Sequence, residues 1–459
     1  MMPIRPEKLF HAMTERPLPM TKAGPVVTDS RQVVPGCVFV AIKGERVDGC
    51  DYAAAAVKNG AAFVVSERPI AQVPAEKLIL VPDILDAMIQ MGGNYRDAFS
   101  PFLAGVTGSV GKTTTKEFLY AVFSSFGETV KTQGNQNNEI GMPNTLFQLS
   151  PSTRYAVVEM GMQGLGEISK LTRAAKPQAA IITAVGVSHL QQLGSRENIC
   201  RAKMEICEGL PPGGLLAVNG DDDYLPGAPL PPGVNRVFFG LKGKGLSVTA
   251  ENIRQEGDAQ RFTIRDENGA LPAYIPALGT HNVYNALAAY TLAVFSGLDR
   301  EKTAAALSRF ETTGYRQHLR EIGGVRVLED CYNANPDSMR AALCALAELD
   351  KKGAAVAVLG DMLELGAVSE EAHYEAGVLA AQKGVQSLIL VGEECRAAEK
   401  GAREAGLDDV VWCGAKAGAL EALLPRVKKG DAVLFKASRG MKLEEIMQEF
   451  YYRLEHKGE

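Results

Sequence analysis

The stretch from Phe102 to Phe126 constrains this chain most, because an apolar run, a glycine loop and a helix-forming run follow one another there without a break. Phe102-Leu103-Ala104-Gly105-Val106-Thr107 reads as a strand, Gly108-Ser109-Val110-Gly111-Lys112-Thr113 as a loop, and Thr114 to Phe126 as a helix. Glycines let backbone N–H groups turn inward around phosphate oxygens, and the helix start adds partial positive charge. Lys112 would reach the outer phosphates of a nucleotide, and Thr113 would offer its hydroxyl to Mg²⁺. The spacing departs from G-x-x-x-x-G-K-[ST]: Val106 holds the first-glycine position, which implies a shorter loop variant.

A strand feeding such a loop belongs in a mostly parallel sheet, and the flanking sequence agrees. Apolar strands follow at Tyr155–Glu159, Ala179–Thr183 and Leu215–Val218, with helical stretches between them. Asn268-Gly269, flanked by Arg261–Ile264 and Leu271–Ile275, signals a hairpin that forms either a flap or an edge extension. Helical runs at Asn282–Phe295 and Lys302–Phe310 precede a linker at Thr312-Thr313-Gly314. Alternation restarts with strands at Val325–Glu329, Ala355–Leu359, Leu388–Val391, Val410–Trp412 and Ala432–Lys436. Upstream of the loop, strand-like runs at Val38–Ile42 and Ala62–Val65 and a helix near Tyr52–Lys58 form a small unit of their own. The expectation is an α/β protein of three domains. Residues 1–99 form a small α/β domain, 100–312 a central mostly parallel sheet around the phosphate loop, and 313–459 a Rossmann-like domain.

A formal net charge of -5 over 459 residues offers no field for nucleic acid or anionic lipid, so any phosphate site is local. Met1 to Pro17 lacks an apolar run of signal-peptide length, and no segment reaches the roughly 18 apolar residues of a membrane span. A cytoplasmic protein without membrane insertion is expected. Eight cysteines with no C-x-x-C pair argue against a zinc knot or a disulfide framework.

Downstream lies an unusually polar run, Lys131-Thr132-Gln133-Gly134-Asn135-Gln136-Asn137-Asn138-Glu139-Ile140-Gly141-Met142-Pro143. With it come Glu159-Met160-Gly161, Ser188-His189-Leu190, Ala202-Lys203-Met204-Glu205, Gly279-Thr280-His281-Asn282 with Asn285, Asp330-Cys331-Tyr332-Asn333-Ala334-Asn335-Pro336, and Lys436-Ala437-Ser438-Arg439-Gly440. Together with the phosphate loop, these runs resemble the Mur ligase family along all three units. Ala437 stands where the family more often has glycine.

The resemblance implies an ATP-dependent ligase that activates a carboxylate as an acyl phosphate and couples it to an amine. It implies UDP-N-acetylmuramoyl-tripeptide and D-alanyl-D-alanine as substrates and a monomeric enzyme. Lys112, Glu159, His189 and Lys203 are then catalytic; Gly108, Ser109, Gly111, Thr113, Thr114, Arg316 and Asp330 bind ATP with Lys112. Thr113 and Glu159 would hold one Mg²⁺, and His189 with a carbamylated Lys203 a second. A protonated Lys203 would repel the ion, whereas a carbamate is the oxygen ligand that Mg²⁺ prefers. Asn282 and Asn285 would contact adenine, although from the residues alone capping by Asn282 is equally open. Substrate contacts fall to Ser30 and Arg31 for the uridine diphosphate, and to Asn135, Asn137, Asn138, Asn333, Asn335, Lys436, Ser438 and Arg439.

Two rivals remain at this stage. One is a sibling that adds the third amino acid, or a folylpolyglutamate-synthase-like ligase; the former carries a D-N-P-R run, where this chain has Asn333-Ala334-Asn335-Pro336. The other is a nucleotide switch without chemistry, which leaves Glu159, His189 and Lys203 unexplained.

Overall fold

The computed structural model of the chain describes residues 1–19, 21–44 and 46–456. Three sheets form where β-branched runs alternate with helices. The first is all parallel, in the order β1 (Val26–Val27), β2 (Val38–Val40), β3 (Phe63–Ser66) and β4 (Leu78–Leu80).

The second sheet contains β5 (Phe102–Thr107), β6 (Thr129–Lys131), β7 (Tyr155–Glu159), β8 (Ala179–Ile182), β9 (Leu215–Asn219), β10 (Asn235–Gly240), β11 (Val248–Glu256), β12 (Ala259–Asp266) and β13 (Gly269–Ile275). Its order is β13-β12-β11-β10-β9-β8-β5-β7-β6, parallel from β6 to β11. The hairpin of β12 and β13 pairs antiparallel at one end, so it extends the edge rather than forming a separate flap. β5 lies between β8 and β7, and the strand order reverses there, which opens a crevice at the carboxyl ends of those strands.

The third sheet runs β14-β15-β19-β16-β17-β18, from β14 (His318–Ile322), β15 (Val325–Asp330), β16 (Ala355–Gly360), β17 (Ser387–Val391), β18 (Val410–Cys413) and β19 (Ala432–Lys436). Only β14 is antiparallel. The last strand therefore inserts beside the second, bringing Asp330 and Lys436 into register as neighbours.

The first two sheets share a core. The helix Ile84–Arg96 buries Met88, Met91 and Tyr95 against Met142, Leu146 and Leu171 of the central unit. Its Gly92 and Gly93 let it approach Pro143 and Ala174 closely, and the Tyr95 hydroxyl donates to the Leu149 carbonyl at 2.9 Å. Burial of this kind stabilises by about 25 cal/mol per Å² of apolar surface, which fixes the two units as one block. All eight cysteines are free, and five are buried. No helix among the described residues is long and apolar enough to cross a membrane.

Candidate active site

The carboxyl ends of β5, β7 and β8 and those of β15 and β19 face one another across a cavity of about 1030 Å³. Its floor is the phosphate loop. Gly111 adopts φ +80° at the start of the helix Lys112–Ser124, and a Cβ there would stand 2.5 Å from the Asn285 side-chain oxygen. Gly108, at φ +149°, abuts the Thr183 hydroxyl in the same way. Lys112 donates to the Gly108 carbonyl at 2.7 Å. Burial and the nearby Arg316 push its pKa down, against the pull of Glu159.

Glu159 ends β7 fully buried. Its Oε1 accepts from the Thr113 hydroxyl at 3.2 Å and from the Asn137 amide at 2.9 Å. Its Oε2 is buried without a hydrogen bond. That oxygen stands 3.5 Å from the Lys116 ammonium, and a carboxylate beside a threonine hydroxyl is a donor set that suits a hard divalent cation. Lys203 is 2 % exposed on the helix Arg196–Met204 and has no hydrogen bond or ion pair among the described residues. Burial, then the neighbouring Lys112, holds its pKa well below the ordinary lysine value. A lowered lysine pKa is the condition that carbamate formation requires, and the sequence could not show it. His189 lines the same wall, and burial followed by Lys112 and Lys203 lowers its pKa to about 4.

The third unit closes the far side. Lys436 is buried, 3.0 Å from the Asp330 carboxylate, and also donates to the Asn333 carbonyl at 2.6 Å. Burial pushes Asp330 up, with Lys436 opposing. Arg316 lies over the Tyr332 ring at 4.0 Å. Asn335 caps the helix Pro336–Glu348 through the Ser338 N–H and donates to the Ser188 hydroxyl at 2.6 Å, joining the two units. Asn135, Asn137, Asn138, Thr114, Ser109, Asn282 and Asn285 also line the cavity.

Four expected site residues lie elsewhere. Ser438 is buried, its hydroxyl accepting from the Leu363 N–H at 2.9 Å and donating to the Ala334 carbonyl at 3.3 Å, so it has no free group for substrate. Arg439 pairs with Glu444 at 2.8 Å outside the cavity. Ser30 and Arg31 sit on the first unit away from it, with Arg31 held by Asp29. Capping by Asn282 is also excluded: the helix starts at Thr280 after Gly279, and the Asn282 amide donates to the Leu278 carbonyl at 2.8 Å.

One residue of this site escaped the sequence reading. Lys116 is fully buried, donates to the Gly134 carbonyl at 3.0 Å, and stands 3.3 Å from Glu117 and 3.5 Å from Glu159. Glu117 also pairs with Lys131 and accepts from the Thr313 hydroxyl in the inter-unit linker at 3.2 Å. The available signal was the run Phe118 to Phe123, too apolar for a solvated helix face.

A phosphate loop at a sheet switch point, closed over by another, mostly parallel sheet that presents an aspartate and a lysine, defines a multidomain nucleotide-dependent enzyme. The chain belongs to the Mur ligase family. The Mur ligase family catalytic domain matches residues 25–92, the Mur ligase middle domain 106–293, and the Mur ligase glutamate ligase domain 309–439. The UDP-N-acetylmuramoyl-tripeptide--D-alanyl-D-alanine ligase of Bacillus subtilis is 38% identical over 92% of both chains. The enzyme of that name from Escherichia coli is 34% identical over 92% of both. Among solved structures, MurF from Acinetobacter baumannii has a TM-score of 0.89 at 31% identity, covering 98% of this chain and 99% of its own. MurF ligase from Thermotoga maritima in complex with ADP has a TM-score of 0.84 at 29% identity, covering 94% and 98%.

Proposed function

We propose that the protein is an ATP-dependent ligase of peptidoglycan precursor synthesis that joins D-alanyl-D-alanine to a UDP-N-acetylmuramoyl-tripeptide, releasing ADP and phosphate. The observation that carries this is the convergence of Lys112, Thr113, Glu159, His189 and Lys203 with Arg316, Asp330 and Lys436 on one cavity, in a chain whose relatives of that name match it over nine-tenths of its length.

A carboxylate does not condense with an amine in water until its oxygen becomes a leaving group. The tripeptide's terminal carboxylate oxygen attacks the γ-phosphorus and ADP departs, giving an acyl phosphate. The dipeptide nitrogen then attacks the carbonyl carbon, phosphate leaves and the nitrogen loses a proton. Catalysis of such a transfer is mostly positioning and neutralisation of charge. The loop N–H groups and Lys112 hold the β- and γ-phosphates; Arg316 and Asp330 grip the nucleotide from the other side; Asn282 and Asn285 face its base. Thr113 and Glu159 would hold one Mg²⁺, and His189 with carbamylated Lys203 a second, the ions neutralising charge on phosphoryl oxygens. Asn135, Asn137, Asn138, Asn333, Asn335 and Lys436 line the acceptor side. Closure of residues 313–459 over residues 100–312 keeps water from the acyl phosphate, while residues 1–99 hold the uridine diphosphate near Ser30 and Arg31. The enzyme acts as a monomer in the cytoplasm.

The test is a panel of UDP-peptides against amines with phosphate release as readout. Release that needs both the UDP-tripeptide and D-alanyl-D-alanine supports the reading. Release with a single amino acid in place of the dipeptide moves the protein to a sibling activity, and ATP binding without ADP formation makes it a switch.

A further inference from the structure

His189 and Glu364 meet across the junction of the central and C-terminal units. Both are non-glycine residues with left-handed backbone, at φ 64° and 65°. Such a conformation is strained for a residue with a Cβ, and it persists only where the surroundings impose it. The Glu364 carboxylate stands 3.3 Å from His189 Nδ1. That nitrogen is buried and makes no hydrogen bond, so a small ring rotation gives it an acceptor. The same junction carries the bond from Asn335 to Ser188 and the packing of Gly366 on Gln191.

The turn bearing Glu364 has its own foundation. The Met362 N–H donates to His373 Nε2 at 2.9 Å, and the Leu363 N–H donates to the Ser438 hydroxyl at 2.9 Å. His373 Nδ1 donates to the Ser369 carbonyl at 2.8 Å, and the Asp361 carboxylate accepts from the Cys395 N–H at 2.9 Å. Asp361, His373 and Cys395 cluster within 4.8 Å, yet both ring nitrogens of His373 are already engaged. The cluster is therefore a scaffold for the turn, not a metal centre. It also explains what buried Ser438 does.

We propose that Glu364 is the positioning residue for His189: when the C-terminal unit is docked, its carboxylate accepts the Nδ1 proton of the imidazole and leaves the Nε2 lone pair for the cavity. Carboxylates that fix a histidine tautomer in this way orient the ring and raise its basicity as a ligand. Docking of the C-terminal unit thereby completes the metal-side wall. The inference rests on the proposed role of His189.

The experiment uses the full chain with Glu364→Ala, Glu364→Gln, His189→Ala and the double variant Glu364→Ala/His189→Ala. Turnover is measured, and the His189 ring nitrogens are followed by ¹⁵N NMR with Mg²⁺ and a non-hydrolysable ATP analogue. Glu364→Ala is expected to lower kcat about 10–100-fold, with KM for ATP unchanged and His189 shifted away from the Nδ1–H tautomer. Glu364→Gln, whose amide oxygen still accepts, regains part of both. On the His189→Ala background, Glu364→Ala adds no further loss. An equal further loss there, or an unmoved tautomer, overturns the proposal alone. Wild-type turnover by His189→Ala overturns the role of His189 and this inference with it.

Discussion

Replacing Lys116 by Met tests how the metal-side carboxylates are held. The ammonium is completely buried, 3.3 Å from Glu117 and 3.5 Å from Glu159. At an effective dielectric near 20 each attraction is worth about 5 kcal/mol, roughly 10 in all. Removing the ammonium also removes its own desolvation cost of several kcal/mol, and Lys131 continues to serve Glu117. The net loss is then about 3–5 kcal/mol, the range seen when one partner of a buried pair is deleted. Methionine fills the alkyl volume, so packing changes little. Urea denaturation followed by circular dichroism should show that loss, and Lys116→Met/Glu159→Gln should recover part of it because the carboxylate left without a cation is gone. A loss under about 1 kcal/mol, typical of an exposed pair, would refute the reasoning, since it would mean that the carboxylates do not depend on this cation.

Three further outcomes follow from the site. Lys203→Ala should lower kcat about 100-fold or more at saturating ATP and Mg²⁺ with an unchanged urea midpoint; full activity would remove the carbamate from the mechanism. Gly111→Ala places a Cβ at φ +80° and 2.5 Å from Asn285, so a penalty of about 1–2 kcal/mol should raise KM for ATP roughly tenfold, read by steady-state kinetics. Burial, reinforced by Lys436 and opposed by the Gln317 hydrogen bond, lowers the His281 pKa from 6.5 to about 4. The folded state thus prefers the neutral ring, and this stability is present above pH 6.5 and lost as the pH falls toward 4. His281→Asn should flatten the decline in urea midpoint over that window, and an unchanged slope would contradict it.

Much of this architecture was legible because its strands are short apolar runs bounded by Gly, Pro and polar turns. Gly108–Gly111 lie between β5 and the helix as expected, although the helix begins at Lys112 rather than Thr114, and Asn268-Gly269 joins β12 to β13. β14 was missed because His318-Leu319-Arg320-Glu321 is half-buried or exposed and carries no apolar run. β11 was missed for a similar reason, its later residues being polar on an exposed stretch. Within the site, the residues that the family runs single out gather in one cavity when they sit at strand ends, as Glu159, Asp330 and Lys436 do. Ser438 and Arg439 diverge because two residues past a strand end the chain has already turned away, and a linear motif carries no such direction. Lys116 and Glu364 depend on contacts far apart in sequence, which composition and periodicity do not report.

The most direct measurement is isotopic. With the terminal carboxylate of the UDP-tripeptide labelled with ¹⁸O, turnover with ATP and D-alanyl-D-alanine should deliver one ¹⁸O to each released phosphate, because that oxygen bridges carbon and phosphorus in the acyl phosphate. Phosphate free of label, with all the ¹⁸O retained in the peptide, would contradict the account.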